Sequence, residues 1–255
     1  MEALAAALES GRAVPPYTRV ELQHLVGTHL AASVATELSR LAGQGMQPVH
    51  AAYLIRLLAA ERRDAEKSRE QVEIVWTGDD RPGVTSRDTA VVVRELFASA
   101  RKSVLIASYA LDRGDKALEL FGELASRFDS EPGLSVRLVI NIQRPHQGNR
   151  SEAELVDTFG RLFREEIWPG SRLPEVFYDP RALQKGGLER ACQHAKCVVI
   201  DEEQVLVTSA NFTEAAHHRN IEVGVLLSDP AAALGVSNQF DLLIRTQSLR
   251  PLPSR

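Results

Sequence analysis

The sequence predicts an α/β fold: a mixed or mostly parallel sheet flanked by helices on both faces, preceded by a small all-helical N-terminal extension. Three observations carry that prediction. From residue 71 onward, short runs rich in Val and Ile alternate with longer segments whose apolar residues recur at helical spacing. Those runs mostly lack clean polar alternation, which is the texture of strands buried on both faces by helices. Residues 1–70, in contrast, carry no strand signal. The expected organisation is a helical extension over 1–70 and one α/β domain over 71–255.

Taken in order, MEALAAALESGRAVPP reads as a short helix stopped by Gly11 and the prolines 15 and 16. The stretches 20–26, 30–41 and 49–62 are apolar at helical spacing, separated by Gly27, a turn at 43–45 and Pro48. ERRDAEKSRE (61–70) is of mixed charge and reads as a solvated helix end. The extension is either a packing or dimerisation element or a helix-turn-helix, and no distinctive recognition helix favours the latter. VEIVWT (72–77) then opens the sheet, and TSRDTAVVVRELFASAR (85–101) is a helix with Ser86 or Asp88 near its start. SVLIASYAL (103–111), a helix over 114–127 and SVRLVINI (135–142) form a strand–helix–strand unit. The polar loop QRPHQGNR (143–150) leads to a helix over 151–168 and the short strand EVFYD (175–179). After a loop over 180–192, three strand-like runs follow at 194–201, 204–210 and 221–227, and a helix over 230–246 closes the domain.

Composition narrows the function. The 255 residues carry a net charge of −4, so the chain is not a broadly basic nucleic-acid binder, although that figure allows a local basic cleft. No apolar run reaches the roughly 18 residues of a membrane helix, and the start lacks the features of a signal peptide, so cytoplasm is the default. Cys192 and Cys197 lie five apart, roughly 16 Å in an extended strand, too far for a disulfide; two free thiols with packing roles are expected. No further ligands stand at zinc-like spacing around them.

The informative stretch is HAKCVVIDEEQVLVTSANFTEAAHHRNIEVGV (194–225). On a strand, His194 and Lys196 project to the same side, with Val198 and Ile200 continuing that face. A lysine there is costly unless an anion is nearby, and a phosphate answers that need. Lysine occurs only at 67, 102, 116, 185 and 196, which makes its placement beside His194 informative. Asp201 ends the strand, and a tight turn at 202–204 leads into the next. If the two strands are adjacent, Ser209 and Asn211 return toward His194 and Lys196, and Thr213 caps the short helix that follows. Cleaving a phosphodiester without metal needs a nucleophile, an acid for the leaving oxygen and donors for the phosphoryl oxygens. Histidine supplies the first two, lysine and an asparagine amide the third. Glu222 is the candidate carboxylate for the other imidazole nitrogen.

These residues resemble a known family. HAKCVVID matches HxK(x)4D, and Thr208, Ser209, Ala210 and Asn211 match GSxN with threonine in place of glycine; together they resemble the signature of the phospholipase D superfamily. Asn220, Ile221 and Glu222 match the acidic residue that orients the nucleophilic histidine in its single-motif bacterial nucleases. ARKSVLIASYALD (100–112) with RLVINI resembles the family's opening unit. The resemblance covers about 72–246 and implies a phospholipase D-like mixed sheet and a catalytic set of His194, Lys196, Asp201, Ser209, Asn211 and Glu222, with no cofactor and no metal. Asp201 has the role of supporting local geometry. No second motif occurs: Gly148, not lysine, stands two after His146. One motif per chain implies a homodimer with a shared site on the twofold axis. The whole-chain pattern further resembles the phospholipase D-like components of bacterial DISARM anti-phage systems, which implies a nucleic-acid substrate and defence-system partners.

Weaker substrate-binding candidates surround this set. Ser108 and Tyr109 lie at the end of a strand that often faces the family's active site. Arg144, His146 and Arg150 occupy a loop after a strand end, where α/β folds often bind ligands. Lys185 and Arg190 flank the glycine pair before the motif. His217, His218 and Arg219 form a solvated or substrate-facing loop, while His24, His29 and His50 read as structural. Three function classes stay open: a nuclease, a phospholipid hydrolase or transferase, and a non-catalytic nucleic-acid-binding scaffold of a defence complex. The aromatic content of 5% gives no hint of membrane anchoring.

Overall fold

Alanine- and leucine-rich segments of the N-terminal region wind into four helices in the computed structural model: α1 (Glu2–Glu9), α2 (Arg19–Val26), α3 (Ala31–Gly43) and α4 (Pro48–Glu70). The structure describes residues 1–79, 86–145, 149–185 and 192–253, and the chain divides into two units, Met1–Glu70 and Gln71–Arg255. In the first, Thr18 and Glu21 form a reciprocal capping box at the start of α2. Pro48 opens α4, where its missing N–H is no loss. Leu4, Leu8, Leu22, Leu38 and Ala52 make a core of their own. Arg56 clamps Glu9 through two nitrogens at 2.9 and 2.7 Å and reaches Glu2 at 2.8 Å.

The second unit contains β1 (Val72–Thr77), β2 (Arg87–Asp88), α5 (Thr89–Ser99), β3 (Ser103–Ser108), α6 (Asp115–Ser130), β4 (Ser135–Ile140), α7 (Glu152–Leu162), β5 (Glu175–Tyr178), β6 (Cys197–Ile200), β7 (Gln204–Thr208), α8 (Glu214–His218), β8 (Glu222–Leu227), α9 (Pro230–Arg245) and β9 (Arg250–Pro251). Among the described residues the strands form one mixed sheet in the order β2-β1-β8-β7-β6-β3-β4-β5-β9. β3, β4 and β5 run parallel through helical crossovers, while β6, β7, β8 and β1 pair antiparallel. The expected α/β class with helices on both faces is what the chain adopts.

Alternation along the strands separates two cores. Val104, Ile106, Leu138, Val198, Ile200, Leu206 and Leu226 pack with residues of α5, α6 and α7. The opposite positions Leu105, Ala107, Val139, Cys197, Val199 and Val205 lie under α9. On that second side the apolar stripe runs on past Val205 to Val207, Val223, Ile74 and Val72, which stand exposed. No described helix is long and apolar enough to cross a membrane.

Several elements depart from the sequence expectation. β3 stops at Ser108 rather than at 111, because Ser108 turns its hydroxyl onto the Ala110 carbonyl, 2.6 Å away, and accepts from the Phe212 amide at 3.0 Å, drawing the chain off the ladder. β6 begins only at Cys197, so His194 and Lys196 precede the strand instead of lying within it. α6 continues to Ser130, and the last turn of the helix expected to 168 is a π-turn over Phe163–Ile167. Asp88, not Ser86, caps α5, accepting from Val91 N–H at 3.0 Å. Cys192 is exposed and Cys197 buried, both free; only the second has a packing role.

Candidate active site

The strand directions gather one end of the sheet. β6 runs antiparallel to β3 with Ala107 opposite Cys197, so residues before Cys197 lie beside those after Ser108. β7 runs back toward the same end, where the Thr208 amide donates to the Lys196 carbonyl at 3.0 Å, and β8 starts there. His194, Lys196, Tyr109, Ser209, Asn211 and Glu222 therefore share one end, together with the C-terminal ends of the parallel β3 and β4.

Lys196 is 8% exposed. Its ammonium stands 3.0 Å from Nδ1 and 3.1 Å from Nε2 of His194 and donates to the His194 carbonyl at 2.9 Å. The Tyr109 ring packs against both, with its centroid 5.1 Å from the imidazole and 5.9 Å from the Lys196 nitrogen. Burial holds the Lys196 pKa below the usual lysine range, and the Glu222 carboxylate opposes that shift. The pair is therefore a desolvated cation beside an imidazole, an arrangement that favours an incoming anion.

The loop after β7 is fixed from β3. Asn211 Oδ1 accepts from the Ala110 amide at 3.3 Å, which orients the side-chain amide. Ser209 donates to Glu222 Oε2 at 2.5 Å and accepts from the Val223 amide at 3.1 Å. Asn220 Nδ2 donates to Glu222 Oε1 at 3.1 Å. Glu222 thus engages Ser209 and Asn220 rather than the imidazole on which it was expected. Thr213 caps α8.

Thr208, where the resemblance calls for glycine, faces Gly224 in register. A Cβ on Gly224 would come within 2.9 Å of Thr208 Cβ and 3.0 Å of the Val207 carbonyl. The bare backbone of Gly224 makes room for the threonine. A glycine inside a strand signals such a close approach, and Gly224 within IEVGVLL was legible on that ground.

Other expected residues lie elsewhere or have structural duties. Asp201 sits beyond the far end of β6, on the order of 16 Å along the strand from Lys196. There its carboxylate accepts from the amides of Arg101 (2.9 Å), Lys102 (2.7 Å) and Ser103 (2.8 Å). Ser108 is fully buried, and its hydroxyl is spent on the two backbone bonds described above. Arg144 donates to the Leu183 and Arg150 carbonyls, both at 2.6 Å, tying two loops. Lys185 is exposed and donates to the Asn149 carbonyl at 3.3 Å. His218 is exposed near Arg94 and Lys116, beside the buried His217, whose pKa burial pushes down to about 4. His146 and Arg190 lie outside the described residues. Among the described residues no cluster of three or more His, Cys, Asp or Glu is placed to hold a metal ion. Asn141 went unnoticed in the sequence: it follows β4, as Tyr109 follows β3, and is buried beside the same end.

The family profile described as "Cardiolipin synthase, PLD-like domain" matches residues 93–244, more than half of the chain. The chain belongs to the phospholipase D-like family. One relative is the DISARM protein DrmC of Bacillus paralicheniformis, 26% identical over 193 residues, which span 76% of this chain and 70% of that protein. Among solved structures, NucT from Helicobacter pylori aligns with a TM-score of 0.43 and 19% identity over 63% of this chain and 89% of its own. Nuc from Salmonella typhimurium, a phospholipase D family member, aligns with a TM-score of 0.44 and 20% identity over 72% and 98%. A phosphatidylserine synthase from Haemophilus influenzae aligns with a TM-score of 0.46 and 19% identity over 71% and 40%.

Proposed function

We propose that this phospholipase D-like protein is a cytoplasmic, metal-independent nuclease that works as a homodimer in anti-phage defence. The observation that carries the reading is the buried Lys196 ammonium against His194, flanked by Asn211 and by the Ser209–Glu222 pair at one end of the sheet. In the reaction, a His194 nitrogen attacks phosphorus, and the bond to the leaving oxygen breaks as that oxygen takes a proton from His194 of the partner subunit. The latter then accepts a proton from water, and the hydroxide displaces the first imidazole from phosphorus. Lys196 and Asn211 hold the phosphoryl oxygens through both steps, so the counter-charge comes from the protein itself. Glu222 favours the charged form of Lys196 against the effect of burial and fixes Ser209, while Asp201 serves the fold.

A second copy is required because the chain has one motif. The exposed apolar stripe of Val72, Ile74, Val207 and Val223 adjoins Ser209 and Glu222 and offers that copy a surface continuous with the site. The relationship to the DISARM protein DrmC supports the defence role and association with other proteins of such a system.

The test is cleavage of single- and double-stranded DNA and RNA in excess EDTA, with wild type and His194→Ala in parallel. Cleavage that survives EDTA and falls by at least about a thousandfold in the variant is the expected result. Equal activity in both proteins overturns the histidine mechanism.

A further inference from the structure

Beside the histidine, the ends of β3 and β4 enclose a cavity of about 320 Å³, lined among others by Tyr109, Arg113, Asn141, Arg150, Thr158 and Phe159. Tyr109 is shared: the ring that packs on His194 also forms the cavity wall. Asn141 is only 8% exposed, and among the described residues its Oδ1 has no hydrogen-bond partner. Buried polar atoms in folded proteins are nearly always bonded, and leaving one bare costs stability. An unpaired acceptor on a cavity that opens beside a nucleophile therefore points to a ligand that supplies the donor.

We propose that this cavity receives one nucleobase of a single strand next to the scissile phosphate, with an N–H of the base edge donating to Asn141 Oδ1. The proposal rests on the nuclease reading. Phe159 and Tyr109 offer the apolar and aromatic surface against which a flat base packs. Arg113 and Arg150 line the cavity from exposed positions and suit the phosphates that flank a base held there. A base reaches such a cavity only when it is out of a duplex stack, which makes single strands or extruded bases the preferred substrate. An acyl chain in the same space would leave the Asn141 acceptor desolvated and unpaired.

The experiment compares two single-stranded nonamers, one of thymidines and one carrying difluorotoluene, which has the shape of thymine without its N–H donor. Binding is followed by fluorescence anisotropy with the full chain bearing His194→Ala, alone and combined with Asn141→Leu or Tyr109→Leu. The thymidine nonamer is expected to bind roughly tenfold more tightly, the contribution of one hydrogen bond. Asn141→Leu is expected to erase that ratio, with thermal stability equal to or above its parent's because a bare acceptor is gone. Tyr109→Leu is expected to weaken both nonamers and keep the ratio. Equal affinities in the parent, a measurement that needs no further variant, overturn the subsite, as does a ratio unchanged by Asn141→Leu. If the wild type still cleaves thymidine strands in either case, the nuclease reading stands. If neither nonamer binds and wild type cleaves no nucleic acid, both fail, and hydrolysis of dihexanoyl phosphatidylglycerol would then assign the cavity to an acyl chain.

Discussion

Thr208 and Gly224 exchange volume across the β7–β8 pair, and the exchange predicts a specific energetic coupling. Gly224→Ala drives a methyl group into Thr208 and the Val207 carbonyl, which should cost on the order of 2 kcal/mol in denaturant unfolding. Thr208→Gly in the same chain should recover part of that loss, giving a coupling of at least about 0.5 kcal/mol in a double-mutant cycle. Strict additivity would mean the backbone carbonyl alone sets the clash. A few residues away, Lys196 titrates below the usual lysine range because it is buried, and the negative charge of Glu222 partly restores it. In the proposed reaction Lys196 binds phosphate in its protonated form, so kcat/KM should fall on the alkaline side as Lys196 loses its proton. Glu222→Gln removes the charge that favours the ammonium, so that alkaline limb should move to lower pH. A pH–rate profile unmoved or moved upward would show that a different group sets the limb.

The β6–β7 hairpin shows how an element serves the site from its remote end. Its turn places Asp201 and Glu202 at φ of 54° and 59°, with the Glu203 amide on the Ile200 carbonyl at 2.9 Å, a type I′ arrangement that ordinarily favours Asn and Gly. The strain is offset by the Asp201 carboxylate, which takes the amides of Arg101, Lys102 and Ser103 and thereby ties the hairpin to the start of β3. Asp201→Ala should lower stability by roughly 2–4 kcal/mol, since several amides lose a charged acceptor at once. The kcat/KM of the folded fraction should stay within about twofold, because the site lies at the strand's other end. A large loss of rate in a protein of unchanged melting temperature would return Asp201 to the chemistry. The sequence already set Asp201 at the end of the strand, after the lysine; what it could not reveal is the partner, because the amides of Arg101, Lys102 and Ser103 come from a distant segment of the chain. In the same way β2 and β9, two residues each, are strands only by virtue of their partners and leave no pattern of their own. The long Val- and Ile-rich runs were legible because burial on both faces writes itself into composition.

Among the described residues of the second unit, one face of the sheet has an uncovered apolar flank. α9 shields the middle of one sheet face and leaves Val72, Ile74, Val207 and Val223 exposed. If a second copy seats there, Val223→Glu should convert a dimer to a monomer in analytical ultracentrifugation and abolish cleavage while the chain stays folded. A variant that remains dimeric and active would move the interface elsewhere. Much of the site was legible in advance, since His194, Lys196, Ser209, Asn211 and Glu222 do meet at one end of the sheet. What sequence could not supply was their bonding: Glu222 to Ser209 and Asn220, and Ser108 inward to the backbone, are decided by strand register and loop packing.

The two thiols differ in chemistry as well as in place. Cys197 is sealed between strands, and burial pushes its thiol up to about 12, which leaves it almost no thiolate for an electrophile. Cys192 is exposed, two positions ahead of His194. A maleimide or environment-sensitive dye should therefore attach at a single position of the native chain, without engineering, and report from the threshold of the candidate site when substrate arrives.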